Sequence, residues 1–272
     1  MIYKIILFVF LCLFSAQISL SQADPLTPTQ EAKEGDYGIL VGLGTNFQTG
    51  DFYTYKSCNC VFSDGSKLGY SFGAFYQKEF AKSLKWGAML LYENKSINSS
   101  YRAKEIDVVS SQLTNKSENL PLEYRYKAES QIAMVSVLPY LDISLLDFFV
   151  TRVGLSASTL AQAEFTHSKE LLQNTARLST GEVVKVSLKD VSGNSQIIDK
   201  AEFQDKNSLQ FGAFAMLGAN IRLSNNLYFS PVFQYSIPFT NISESGNSFK
   251  VHSWRFFAQI SIRFGNDLEF DK

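Results

Sequence analysis

The sequence predicts an all-β chain folded as an eight-stranded antiparallel up-and-down transmembrane barrel with short periplasmic turns and long external loops. Three observations carry this. Apolar residues recur at every second position in eight separate stretches. The connections between those stretches alternate strictly between short and long. No stretch after the first twenty-odd residues is apolar for long enough to cross a bilayer as a helix, which takes about 20 consecutive residues. The composition agrees, because 13 Tyr, 23 Phe and 16 Gly favour strands and aromatic girdles over helices.

Strand one, residues 37–47, sets Tyr37, Ile39, Val41, Leu43 and Phe47 against Gly38, Gly42, Gly44 and Asn46. Strand two, 68–80, sets Leu68, Tyr70, Phe72, Ala74 and Tyr76 against Gly69, Ser71, Gly73 and Gln77. Strand three follows at once, with Leu84, Trp86, Ala88, Leu90 and Tyr92 opposite Lys85, Gly87 and Glu93. Strand four, 122–141, groups Tyr124, Tyr126, Ile132, Met134, Leu138 and Tyr140 with Ala128, Ser130 and Ser136, opposite Glu123, Arg125, Lys127, Glu129 and Gln131.

Strand five, 148–158, sets Phe149, Val153, Leu155 and Ala157 against Arg152, Gly154, Ser156 and Ser158. In strand six, 209–222, the row Leu209, Phe211, Ala213, Ala215, Leu217, Ala219 and Ile221 faces away from Gly212, Gly218, Asn220 and Arg222. Strand seven, 227–239, opposes Leu227, Phe229, Phe233, Tyr235, Ile237 and Phe239 to Ser230, Gln234 and Ser236. Strand eight, 254–264, splits into Trp254, Phe256, Ala258, Ile260, Ile262 and Phe264 against Arg255, Phe257, Gln259, Ser261 and Arg263.

The connections 81–83, 142–147 and 223–226 are short, whereas 48–67, 98–121, 159–208 and 240–250 are long. A soluble barrel has no reason to lengthen every second connection. A membrane barrel does, with tight periplasmic turns, long external loops and strands apolar outside and polar inside. The oily rows are therefore expected to face lipid. Eight strands leave a lumen that side chains fill. The expected lumen charge network is Lys85, Arg152, Arg222, Arg255 and Arg263 with Glu79, Glu93 and Glu129, and the inward glycines make room for it.

The stretch GYSFGAFYQKEFAKSLKWGAMLLYE, residues 69–93, joins a glycine-aromatic strand, a tight turn and a second strand. It resembles the small outer-membrane barrels common in Bacteroidota and Chlorobi-related bacteria, broadly OmpA-like or PorT-like. The resemblance covers residues 36–264 and implies an outer-membrane address in a Gram-negative cell. Few residues follow 264, so the wall-binding domain that accompanies the barrel in OmpA is not expected here.

Lys4, the apolar run 5–16 and Ser21-Gln22-Ala23 have the order of a secretory signal peptide, with cleavage expected after Ala23. The chain then divides into a signal peptide (1–23), a periplasmic tail (24–35), the barrel (36–264) and a C-terminal tail (265–272). Cys12 falls in the discarded segment. Removing residues 1–23 takes away one cation, so 24 basic residues oppose 26 acidic ones and the formal charge moves from -1 to -2. That balance gives no reason to expect nucleic acid as a partner. The expected partners are outer-membrane lipid, and proteins or ligands at the external loops.

Little points to catalysis, and neither enzyme activity nor a cofactor is expected. Cys58 and Cys60 lie in the first external loop, in a compartment where thiols oxidise; a local disulfide, or a pair bonded otherwise, is favoured over a redox or soft-metal site, since two thiolates are too few for structural zinc. His167 is placed in the third external loop and His252 at the mouth of strand eight. His252 and Ser253 are adjacent on a strand and so point to opposite faces. In the third connection, alternating stretches suggest a hairpin ribbon continuing strands five and six, with its tip at 191–195. The function expected is structural or surface-interacting, with a transport or secretion-accessory role of the PorT kind as the alternative and a lipid-modifying enzyme behind both.

Overall fold

The computed structural model describes residues 35–264 apart from 55–59, 82, 112–116, 144–147 and 189–192. The expected signal peptide, nearly all of the periplasmic tail, the C-terminal tail and Cys58 lie outside the described residues. Eight strands form the wall: β1 (Gly35–Tyr53), β2 (Ser66–Ala81), β3 (Leu84–Asn94), β4 (Ser117–Ile143), β5 (Phe149–Leu171), β6 (Leu209–Ala219), β7 (Leu227–Pro238) and β8 (Gly246–Phe264).

Each wall strand pairs antiparallel with the next in sequence, and β1 pairs with β8 from Gly35↔Phe264 to Phe52↔Gly246, so the ring closes on itself. Closure gives the wall's N–H and C=O groups partners without water, which an open sheet in lipid cannot do. The all-β up-and-down fold is the one the alternation predicts.

The faces sort cleanly on β8. Ile260 is 46% exposed while its neighbour Gln259 is 1% exposed, and Trp254, Phe256, Ile262 and Phe264 all share the outward row. The same outward row on β1 runs from Tyr37 through Ile39, Val41 and Leu43 to Phe47. Eleven residues at about 3.3 Å each, tilted by about 45°, rise roughly 25 Å, which is the height of a bilayer-spanning apolar belt. An apolar belt around a closed eight-stranded ring is the architecture of outer-membrane barrels, and this chain is located there.

Strand four departs from its expected facing. Tyr124, Tyr126, Ile132, Met134, Leu138 and Tyr140 are buried inside, and Val135, Val137 and Leu141 form the outward apolar row. The physical reason is the length of β4, whose 27 residues stand well beyond a membrane span. Outside the belt the outward face meets water and carries Glu123, Arg125, Lys127, Glu129 and Gln131, while the inward face meets a protein core.

Much of what the sequence reads as external loop is strand. β5 runs on to Leu171, β8 begins at Gly246, and Ile97–Ser110 forms a hairpin with the upper part of β4. Upper β5 pairs with Ser195–Glu202, so Ser195 lies in a strand and not at a ribbon tip, while Val191 and Ser192 of the expected tip lie outside the described residues. Thr175–Arg177 and Val183–Lys185 form a separate small hairpin, turning where Gly181 adopts φ of 84°. Above the barrel, Ile97–Ser110, β4, β5 and Ser195–Glu202 thus form a four-stranded external sheet.

Ala258 lies on the outward row near the middle of the belt. Ala258→Arg should lower folding stability in bilayers by about 2–4 kcal/mol, whereas Thr49→Arg, outward but above the belt, should cost about 0–1 kcal/mol. Denaturant titration in lipid vesicles checks the difference, and equal costs would contradict the face assignment.

Candidate functional site

The inward row of β8 reads Arg263, Ser261, Gln259, Phe257, Arg255, Ser253, Val251, Phe249 from the periplasmic end outward, and all but the partly exposed Arg263 are buried. The lumen therefore has layers. At the periplasmic end, Asp36 receives Lys85 Nζ at 2.8 Å, Arg263 Nε at 2.9 Å and Gln77 Nε2 at 2.7 Å. Arg152 donates from Nε to Asp142 at 2.9 Å and from Nη1 to Gln259 at 3.0 Å, and its guanidinium lies 5.0 Å from the Phe75 ring centre. A cavity of about 250 Å³ opens here, with Glu79 on its wall.

The next layer is apolar: Leu40, Phe75, Met89, Leu91, Leu138, Phe214, Met216, Val232 and Phe257 pack together. Beyond it Arg255 is 1% exposed and donates to Ser71 Oγ at 3.2 Å, Asn46 Oδ1 at 2.5 Å and the Asn94 carbonyl at 2.8 Å. A Cβ on Gly69 would stand 2.5 Å from the Asn94 carbonyl oxygen, 2.6 Å from Asn46 Nδ2 and 2.8 Å from Arg255 Nη2, so only glycine leaves room for this cluster. Glu93 lies 3.3 Å from Lys95 Nζ and accepts from Ser136 Oγ at 2.5 Å, while Lys95 also donates to Ser253 Oγ at 2.6 Å.

Above this, Phe52, Phe62, Phe203 and Phe249 converge, with ring centres 4.8 Å apart for Phe52 and Phe249. They belong to a second apolar core, built from the inner faces of the strand extensions and the external connections, that closes the outer end of the ring.

Of the residues expected in the lumen, Lys85, Glu93, Arg152, Arg255 and Arg263 lie there and Glu79 lines the periplasmic cavity. Two do not. Arg222 is exposed at the β6–β7 turn, where its guanidinium donates to the Ser224 carbonyl at 3.2 Å, because the alternation ends before it. Glu129 is on the outer face, the result of the inverted facing of β4.

Three buried ionic partners escaped the sequence reading: Asp36, Lys95 and Asp142. Asp36 and Asp142 lie just past the expected end of a strand, and Lys95 lies two residues beyond the last lumen-facing residue read in strand three. Extending the parity of Gly38, Glu93 and Tyr140 by two residues would have found them, the last only once β4 is faced correctly.

His167 is fully buried under the external sheet, not in a loop; its Nδ1 lies 2.9 Å from Thr54 Oγ1 and its ring meets Phe62 edge-on at 5.1 Å. Burial pushes its pKa down, with Asp199 opposing. Beside it, Lys169 Nζ lies 3.8 Å from the Tyr124 ring centre and donates to Glu105 at 2.6 Å. Burial raises the Glu105 pKa, but hydrogen bonds from Lys169 and Tyr126 outweigh it and hold the carboxyl below its usual value. His252 stacks on Phe47 while Ser253 is buried on the opposite side, so the two do not form a nucleophile-base pair. Cys60 is disulfide-bonded.

Asp142→Asn would leave Arg152 buried with its carboxylate partner gone. A loss of about 3–5 kcal/mol is expected in denaturant titration, and Asp142→Leu combined with Arg152→Met should recover most of it. A loss no larger for the single variant than for the double would contradict the pairing.

No protein-family model and no curated protein sequence matches this chain. Solved structures do. Ail, the attachment invasion locus protein of Yersinia pestis, solved in complex with the heparin analogue sucrose octasulfate, aligns at 13% identity over 85% of this chain and 99% of its own, with a TM-score of 0.32. Neisserial surface protein A aligns at 10% identity over 84% of this chain and 97% of its own, with a TM-score of 0.32. The outer membrane protein OprG from Pseudomonas aeruginosa aligns at 12% identity over 86% and 97%, with a TM-score of 0.31.

Proposed function

We propose that this outer-membrane barrel is a closed scaffold whose working part is its external sheet, giving it a structural and surface-interaction role. One observation carries the reading: the lumen is filled in successive layers, ionic, apolar and ionic, and its outer end is closed by the Phe52, Phe62, Phe203 and Phe249 core. A pathway for solutes would have to break buried ion pairs and an aromatic core in series. External surfaces on a rigid scaffold are where binding is varied. On this reading the protein is not an enzyme, needs no cofactor and takes no nucleic acid. The OmpA-like or PorT-like character of residues 69–93 keeps a secretion-accessory role as the alternative, favoured only by the polar cavity at the periplasmic end.

Purified protein in planar bilayers should show no stable conductance. Replacing Arg152 and Arg255 by Ala should give at most small flickering currents, because two side chains are removed and the strand ring keeps its width. Steady large currents from the wild type would overturn the closed-scaffold reading in favour of transport.

A further inference from the structure

The outer face of the external sheet places like charges directly opposite each other. Arg102 pairs with Arg125 across the Ile97–Ser110 and β4 hairpin, and Ser100 pairs with Lys127 one step closer to the membrane. Opposed side chains stand with Cβ atoms about 4.5–5.5 Å apart, a spacing at which like charges destabilise a sheet unless an anion lies between them. Nearby carboxylates compensate only part of this: Glu170 lies 2.8 Å from Lys127 and 3.5 Å from Arg125, and Glu123 is engaged by Lys104 at 3.2 Å. Arg102 is exposed and has no ion pair or hydrogen bond among the described residues. These side chains, with Asn98 and Ser100 supplying neutral polar groups, line a cleft of about 500 Å³ with Glu129 at its edge.

The height of the cleft restricts its occupant. Val135 is the last outward apolar residue of β4, and Lys127 comes eight residues further out. At about 3.3 Å per residue and a tilt near 45°, the cleft stands roughly 20 Å beyond the belt. The headgroup region adds only about 5–7 Å on each side of a bilayer, so phospholipid headgroups do not reach it.

We propose that this cleft binds phosphate or sulfate esters carried on a saccharide outside the bilayer, with Arg102 and Arg125 clamping the anion and Lys127 adding charge. Guanidinium forks match tetrahedral oxyanions in a way that lysine alone does not. The proposal rests on the surface-interaction reading, but its test is independent of conductance, so either can fail without the other.

The test is calorimetric titration of inositol hexakisphosphate into the folded full-length protein in zwitterionic detergent. Binding that weakens with added salt is expected. Arg102→Gln combined with Arg125→Gln should weaken it at least tenfold, and Lys250→Gln, on the opposite side of the ring, less than twofold. Ser100→Asp, which keeps both arginines, should also weaken it at least tenfold. Retained gel mobility shift on heating verifies that each variant is folded.

Repeating the titration in vesicles distinguishes sources. Phosphatidylglycerol in phosphatidylcholine should leave the affinity unchanged; lipopolysaccharide should lower it tenfold if the surface glycolipid's own sugars fill the cleft, and leave it unchanged if the natural ligand is a soluble glycan. Binding that survives loss of both arginines, no binding by the wild type, or competition by phosphatidylglycerol alone would overturn the proposal.

Discussion

The pairing of the two ends of the described chain, Gly35–Tyr53 against Gly246–Phe264, is the constraint on which everything else depends. Without it β1 and β8 would present two edges of unpaired N–H and C=O groups to hydrocarbon, where neither has an alternative partner. Once the ring is closed, each wall strand has one face in lipid and one in a narrow lumen. The period-two sequence pattern follows, as does the need for glycine wherever a large inward neighbour crosses the axis. A Cβ on Gly42 would stand 2.6 Å from the Phe257 ring, and one on Gly69 would crowd the Asn94 carbonyl, Asn46 and Arg255.

Filling a narrow lumen with ionic groups is costly unless each charge is answered by an opposite charge or a full set of acceptors. The structure uses both solutions. Asp36 serves Lys85 and Arg263 together, and Asp142 holds Arg152. Arg255 is held by Asn46, Ser71 and a backbone carbonyl, with the Glu93–Lys95 pair in the same layer. The Phe75 to Phe257 layer separates these two ionic levels, so the barrel interior resembles a folded core more than a channel. The external sheet extends this logic beyond the membrane: its inner face turns Tyr124, Tyr126 and Phe165 to the Phe52 core together with the Lys169–Glu105 pair, and its outer face carries Arg102, Arg125 and Lys127.

The wall was legible in the sequence because inside the membrane the lipid-facing row is almost unbroken in its oily residues, while the lumen-facing row mixes glycine, polar and apolar side chains. That rule lost its force on β4. Its upper half leaves the bilayer, and there Tyr124 and Tyr126 are oily because they face a protein core, while Arg125 and Lys127 face water. The misfacing of Glu129 and the oversight of Asp142 follow from that one inversion. The lumen cations on strands three, five and eight were legible because their parity was clear, but the pairs they form were not. Asp36 meets Lys85 and Arg263 across positions 49 and 227 residues away, the first brought near by the β1–β2–β3 pairing and the second by ring closure. The cationic cleft had no signal in a near-neutral chain, since Arg102 and Arg125 become neighbours only through the register of a hairpin read as loop.

The central claim is that the row beginning at Trp254 faces lipid and the row beginning at Arg255 faces a closed lumen. Nitroxide labels placed one at a time along residues 254–264 of the protein in phosphatidylcholine vesicles, with oxygen collision rates read by electron paramagnetic resonance, test this directly. High oxygen accessibility at 254, 256, 258, 260, 262 and 264, with low values at the five positions between them, is the predicted result. The opposite phase, or no period of two, would contradict the account.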